Sequence, residues 1–179
     1  MQKGELLMRK IVFYGAVSLD GYLSDQNDNL DWLFQSDLNG ISTYEEFEKN
    51  VSTFVMGRTT YQETQKYLKG NELYPGKEKI IFSHHILNHN KDTSFVAGDI
   101  IKIFNSLKAL DGGLIWIIGG GSIVKVLLEN NMLDEIWLQI APVLLGKGKK
   151  LFEPGNYYQK FNLKSVKQMG ELTELHLVK

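Results

Sequence analysis

The sequence contains no cysteine. Disulfides, thiolate nucleophiles and cysteine metal sites are therefore excluded, and a reducing compartment, the cytoplasm, is the expected setting. Neither sign of charge is in excess: 20 Lys and Arg face 21 Asp and Glu, for a formal net charge of −1. No bulk basic field exists to bind nucleic acid non-specifically. No apolar run approaches the roughly 18 to 20 residues that span a bilayer, so no membrane partner is expected. Repeats, low-complexity tracts and linkers are also missing. Residues 1–8 lack the long apolar core of a secretory signal. Lys3-Gly4-Glu5 can be encoded by a purine-rich stretch resembling a bacterial ribosome-binding site. Met8 is thus a candidate natural start, with 1–8 an extension before a single domain, 9–179.

What is present is an ordinary globular composition, 43% apolar and 23% charged over 179 residues. That length is enough for one packed core and short for two. Residues 10–17 (KIVFYGAV) are β-branched, aromatic and apolar, as a buried strand requires. Asp20-Gly21 and the polar run 24–29 then break the pattern. Further strands are predicted at 53–56, 79–83, 94–97, 114–118 and 134–141. Helices are predicted at 43–49 (with Ser42 or Thr43 as N-cap), 59–67, 99–110 and 122–130. Asp99 caps the third of these, whose apolar stripe is Ile100, Ile103, Phe104 and Leu107. Residues 161–168 and 172–178 close the chain as an antiparallel pair around Met169-Gly170. The alternation of Leu175, His176 and Leu177 predicts one wet face, with His176 on it. Strand and helix alternate early and strands follow strands late. That order predicts a mainly parallel sheet between helices with an antiparallel C-terminal edge.

Two strand-to-helix junctions carry the strongest chemical signal. One strand runs into Gly57-Arg58-Thr59-Thr60, the other into Gly119-Gly120-Gly121-Ser122, and each is followed by a helix. Open N–H groups at a helix start, added to the helix dipole, attract anions, and glycine lets a phosphate reach the backbone. Each junction alone fits a tight turn as well as a phosphate site. Neither matches the Rossmann fingerprint or a Walker A loop.

The string Val55-Met56-Gly57-Arg58-Thr59-Thr60-Tyr61 resembles the Met-Gly-Arg-x-Thr-aromatic segment of dihydrofolate reductases. Leu73-Tyr74-Pro75-Gly76-Lys77 resembles their Leu-Pro-Gly-Arg turn, and Ile117-Ile118-Gly119-Gly120-Gly121 their Ile-Gly-Gly-Gly segment. Ser18-Leu19-Asp20-Gly21 and the run 142–152 (PVLLGKGKKLF) resemble the reductase domain of the bifunctional riboflavin-biosynthesis deaminase-reductase, the RibD C-terminal domain. Together these motifs span roughly 9–179. The resemblance implies a dihydrofolate-reductase-like three-layer α/β/α sandwich, an NADPH-dependent reductase and a homodimer built on the late strands. It implies that Gly57, Arg58, Thr59 and Thr60 hold cofactor phosphates opposite Gly119, Gly120, Gly121 and Ser122, with a cis Gly119-Gly120 peptide. It further implies that Ser83 and His84 read the 2′-phosphate, that Ala16, Val17 and Leu23 flank the nicotinamide with backbone groups, and that Ile118 belongs to the cofactor-binding set.

The substrate half departs from both branches. The stretch 41–44, where folate-reducing enzymes carry a helix carboxylate, has no acid until Glu45. Val124 stands where a tyrosine is usual, and Ile118 where riboflavin-pathway reductases carry an acid. Expected readings are therefore hydride transfer to a C=O or C=N of a small heterocyclic or sugar-like substrate, 5-amino-6-(5-phosphoribosylamino)uracil reduction, dihydrofolate reduction, or non-catalytic NADPH binding. Asp20 and Asp31 are the candidate catalytic acids, able to bind a substrate N–H or relay a proton through water. A turn-forming Asp-Gly and a solvated cap are the structural alternatives. Trp32 is a candidate pocket wall or a core residue. His84, His85 and His89 lack the acidic neighbours of a metal site, so cofactor contact or plain surface is expected for them. Lys147, Lys149 and Lys150 form a solvated loop or gather an anionic substrate.

Overall fold

A computed structural model describes residues 8–84 and 91–179. Residues 1–7, and with them most of the predicted extension, lie outside the described residues, as do His85 and His89.

The central sheet is built from strands whose two faces both need cover. β1 (Ile11–Ser18) sends Ile11 and Phe13 to one face and Val12 and Tyr14 to the other, and all four are buried. That is the period-2 signature of an interior parallel strand. β3 (Val51–Gly57), β4 (Glu78–Phe82), β5 (Thr93–Val96), β6 (Leu114–Gly119) and β7 (Glu135–Ala141) join it in parallel. β9 (Asn162–Met169) and β10 (Leu172–Val178) complete the sheet antiparallel, in the order β5-β4-β3-β6-β1-β7-β10-β9. A separate two-stranded ribbon pairs β2 (Tyr22–Ser24) with β8 (Lys149–Lys150).

On one face, α4 (Ile100–Lys108) and α5 (Gly121–Glu129) cover Ile11, Phe13, Val55, Ile115 and Ile117 with Phe104, Leu107 and Leu127. On the other, α2 (Tyr44–Glu48) and α3 (Arg58–Leu68) cover Val12, Phe54, Met56 and Trp116 with Phe47, Tyr61 and Leu68. The protein is a three-layer α/β/α sandwich with a mainly parallel sheet and an antiparallel C-terminal edge. A fifth helix, α1 (Asp31–Phe34), lies in the stretch between β2 and α2 where the sequence predicts none. One turn is too short to show a helical period.

His176 is not on a wet face. It is 4% exposed, its ring stacks on Trp137 at 3.7 Å, and its Nε2 lies 2.8 Å from Glu135 Oε1. The face of β10 that carries Leu172, Glu174 and His176 is the buried one, and β7 pairs beside it. Burial alone would raise the Glu135 carboxyl pKa, but hydrogen bonds from His176 and Lys10 outweigh it and hold the group below its ordinary value. Two residues back along β10, on the same face, the buried Glu174 accepts from Thr43 Oγ1 at 2.6 Å and Gln139 Nε2 at 2.9 Å. The alternation marks the faces correctly, yet here the polar positions are the buried ones, satisfied pairwise by their neighbours.

Candidate active site

The parallel topology brings the ends of β1, β3, β4, β5 and β6 to one edge of the sheet, where they open into a cleft of about 1150 Å³. Three longer helices start beside it, and their starts differ. The Asp99 carboxylate accepts from the N–H groups of Ile101 and Lys102, so the N-terminus of α4 is already occupied. α3 and α5 start from Gly57 and Gly120 with no side-chain cap. Their first N–H groups therefore stay open to a ligand. The Gly119-Gly120 peptide is cis.

Arg58, the first residue of α3, lines the cleft, and its buried Nε has no hydrogen-bond partner. A buried guanidinium N–H without an acceptor is costly, and a ligand oxygen would satisfy it. A Cβ on Gly57 would meet nothing within 4 Å, so that wall is open to a ligand. Gly121 has the opposite reason to be glycine: a Cβ there would lie 2.1 Å from the Lys150 carbonyl oxygen. The same distance separates a Cβ on Gly148 from the Ser24 carbonyl oxygen. These two close approaches seat the 148–150 segment between α5 and β2, where it forms part of the cleft wall.

Of the residues expected to hold cofactor, Ala16, Leu23, Gly57, Arg58, Thr59, Thr60, Ser83, His84, Ile118, Gly119, Gly120, Gly121 and Ser122 all line this cleft. Val17 does not. It is the strand neighbour of Ala16, faces the opposite way and is packed in the core at 4% exposure.

The two candidate acids lie elsewhere. Asp20 is absent from the cleft lining and serves as a loop anchor: it accepts from Ser18 Oγ at 2.6 Å and from the N–H groups of Leu145 and Gly146. The Ser18 hydroxyl, then those backbone donors, pull its pKa from 3.8 down to about 2. A carboxylate so stabilised stays anionic and is a poor proton carrier at neutral pH. The folded pKa is depressed, so its contribution to stability is complete above 3.8 and is lost as pH falls through about 2. Asp20→Asn is expected to speed amide exchange at Leu145 and Gly146 and to lower stability at neutral pH. In denaturant titrations that deficit against the wild type should vanish as pH falls through about 2; a deficit that persists there would show that charge is not its source.

Asp31 is exposed in the first turn of α1, receives Asn29 Nδ2 at 3.0 Å, and also lies off the cleft lining. The acid of this segment that does line it is Asp28, in the left-handed region at φ 63° and paired with Lys149 at 2.5 and 2.7 Å. Asn and Asp tolerate that conformation, so the Asn27-Asp28-Asn29 run was the available signal. Trp32 is likewise not in the lining. A second signal was helical spacing: Thr60, Glu63, Thr64 and Tyr67 lie at i, i+3, i+4 and i+7 and present one face of α3 to the cleft. Leu30, Leu33 and Phe34 face it from α1 and its start. Among the described residues no group of three or more His, Cys, Asp or Glu could hold a metal ion, and no helix is long and apolar enough to cross a membrane.

An α/β/α sandwich with two uncapped helix starts facing one cleft at the strand ends is the dihydrofolate-reductase-like arrangement. The dihydrofolate reductase of Enterococcus faecalis, solved with NADP(H), superposes with a TM-score of 0.62 over 94% of each chain, at 14% identity, which is a likeness of fold. Residues 9–175 match the model of the RibD C-terminal domain, and the chain belongs to that family. The uncharacterized protein YwjB of Bacillus subtilis (strain 168) is 32% identical over 172 residues, covering 96% of this chain and 98% of that one. A structure from Shewanella sp. PV-4, assigned by name to riboflavin biosynthesis, gives a TM-score of 0.82 at 26% identity over 96% of this chain and 98% of its own.

Proposed function

We propose that the protein is an NADPH-dependent reductase that delivers hydride to a C=O or C=N carbon of a small ring or sugar-like substrate. The observation that carries this reading is the meeting of two uncapped helix starts with the unpartnered Arg58 Nε in one cleft. The residues present fit the cofactor. Gly57, Arg58, Thr59 and Thr60 would hold one side of its diphosphate, and Gly119, Gly120, Gly121 and Ser122 the other. Ser83 and His84, at the β4 end of the cleft, would meet the adenosine 2′-phosphate. Ala16, Leu23 and Ile118 would wall the nicotinamide. When bound, NADPH supplies the hydride. The chain's own part is to align the reactants and exclude water, and a proton from water completes the two-electron reduction at the substrate heteroatom. Asp28, ion-paired and on the lining, takes the place of Asp20 and Asp31 as the candidate carboxylate of this segment. The reading includes a cytoplasmic homodimer. Exposed Leu163, Val166 and Tyr158, on and before the edge strand β9, support that interface.

The test is thermal and fluorescence titration with NADPH and NADH. NADPH at a hundred times its Kd should stabilise by about 2.7 kcal/mol. In a domain of this size that raises Tm on the order of 5 to 10 °C. NADH should raise it less. No response to either nucleotide would mean that both glycine junctions are only turns, and the reductase reading would fall.

A further inference from the structure

The part of the cleft lined by α1 and by the C-terminal end of α3 is chemically distinct from the phosphate-binding start of α3. Phe34 and Tyr67 meet edge to face there, with ring centroids 5.2 Å apart and an interplanar angle of 68°. They are 60% and 47% exposed, unusually open for aromatic residues lining a cleft. Leu30 and Leu33 extend the apolar wall. Two carboxylates of the cleft lining are already paired. Lys149 is paired with Asp28, and Glu63 on α3 receives both of its contacts from Lys66 at 2.7 and 2.8 Å. The Lys150 ammonium lies over the ring of Tyr22, a residue outside the cleft lining. Among the described residues lining the cleft, the cationic donor with a buried unpartnered N–H is Arg58, at the start of α3 and roughly 13 Å of helix away from Tyr67.

Resting on the reductase reading, we infer that the substrate is an uncharged, flat aromatic molecule carrying no phosphate, stacked against Phe34 and Tyr67. A phosphate ester brings nearly two negative charges at neutral pH. Placing it here would require drawing Lys150 off the Tyr22 ring or breaking the Asp28–Lys149 or Glu63–Lys66 pair, and a freed carboxylate would repel it. A neutral ring requires none of these and covers apolar surface that is now wet.

The probes are 2-naphthol, a phenol uncharged at neutral pH, and 2-naphthyl phosphate, its monoester. Their binding to NADP⁺-saturated protein is followed by fluorescence. 2-Naphthol is expected to bind, and its phosphate at least about tenfold more weakly. Phe34→Ala and Tyr67→Ala should each weaken 2-naphthol by roughly tenfold, as loss of a stacking ring does. Both variants should retain the wild-type Tm response to NADPH, which also reports that they fold. Equal or tighter binding of the phosphate, no binding of either probe, or indifference to both substitutions would overturn the inference while leaving the reductase reading intact. Loss of the NADPH response in the wild type would bring down the reductase reading itself.

Discussion

Arg58→Ala is expected to weaken NADPH binding by about ten- to a hundredfold, the range set by losing a hydrogen-bonded ion pair of about 1.5–3 kcal/mol. The free protein should lose little stability, because the Nε removed has no partner to forfeit. Deleting an unsatisfied buried donor can even raise Tm. That opposition of effects separates a binding residue from a structural one, whose loss would lower Tm and affinity together. Arg58→Lys keeps the charge and loses the planar fork, so its affinity should fall between the two. Isothermal titration with NADPH, with apo Tm measured alongside, reads both quantities. An unchanged Kd in the alanine variant would remove Arg58 from the site and with it the principal support for a phosphate at the start of α3.

How far the sequence discloses this site depends on how local each cause is. Gly57 and Gly119 to Gly121 were legible because a strand-to-helix junction rich in glycine is a local pattern with a local physical consequence. Asp99 was legible as a cap for the same reason, and its side chain accepts from Ile101 and Lys102. The assignments that moved depend on distant partners. Asp20 reads as a cleft acid until Leu145 and Gly146, some 125 positions away, donate to it. His176 reads as exposed until β7 pairs with β10 and brings Trp137 and Glu135 against its ring. The α1 turn, with Leu33 and Phe34 facing the cleft, spans only four residues and leaves no periodic trace. Val17 was expected to offer backbone groups to the nicotinamide, and that its side chain turns into the core, away from that of Ala16, was open to reading from strand alternation. The spacing of Thr60, Glu63, Thr64 and Tyr67 was equally open to reading, since it marks one face of the helix that Gly57 starts.

Gly121→Val should be strongly damaging at the cleft, and its contrast with Gly57→Ala tests what the two glycine junctions are for. A Cβ at Gly121 would lie 2.1 Å from the Lys150 carbonyl oxygen and 3.1 Å from that of Leu151. Both contacts are backbone, so neither can swing aside as a side chain would. Relief requires the 149–151 segment to move away from the start of α5, where Leu151 is fully buried. Overpacking of this kind costs about 1–3 kcal/mol or more, which for a domain of this size lowers Tm by about 2 to 12 °C or more. The NADPH response should fall with it, because the displaced segment is part of the cleft wall. Gly57 differs in both respects: its φ of −78° and ψ of 159° suit any residue, and a Cβ there meets nothing. Gly57→Ala should therefore shift Tm by a few degrees at most, through the poorer helix start. Its NADPH affinity should nonetheless drop by tenfold or more if the diphosphate approaches that backbone closely. If Gly57 serves only to turn the chain, Gly57→Ala will bind NADPH as the wild type does. Paired measurements of Tm and Kd on the two variants thus assign Gly121 to packing and Gly57 to ligand approach, or show that both are packing alone.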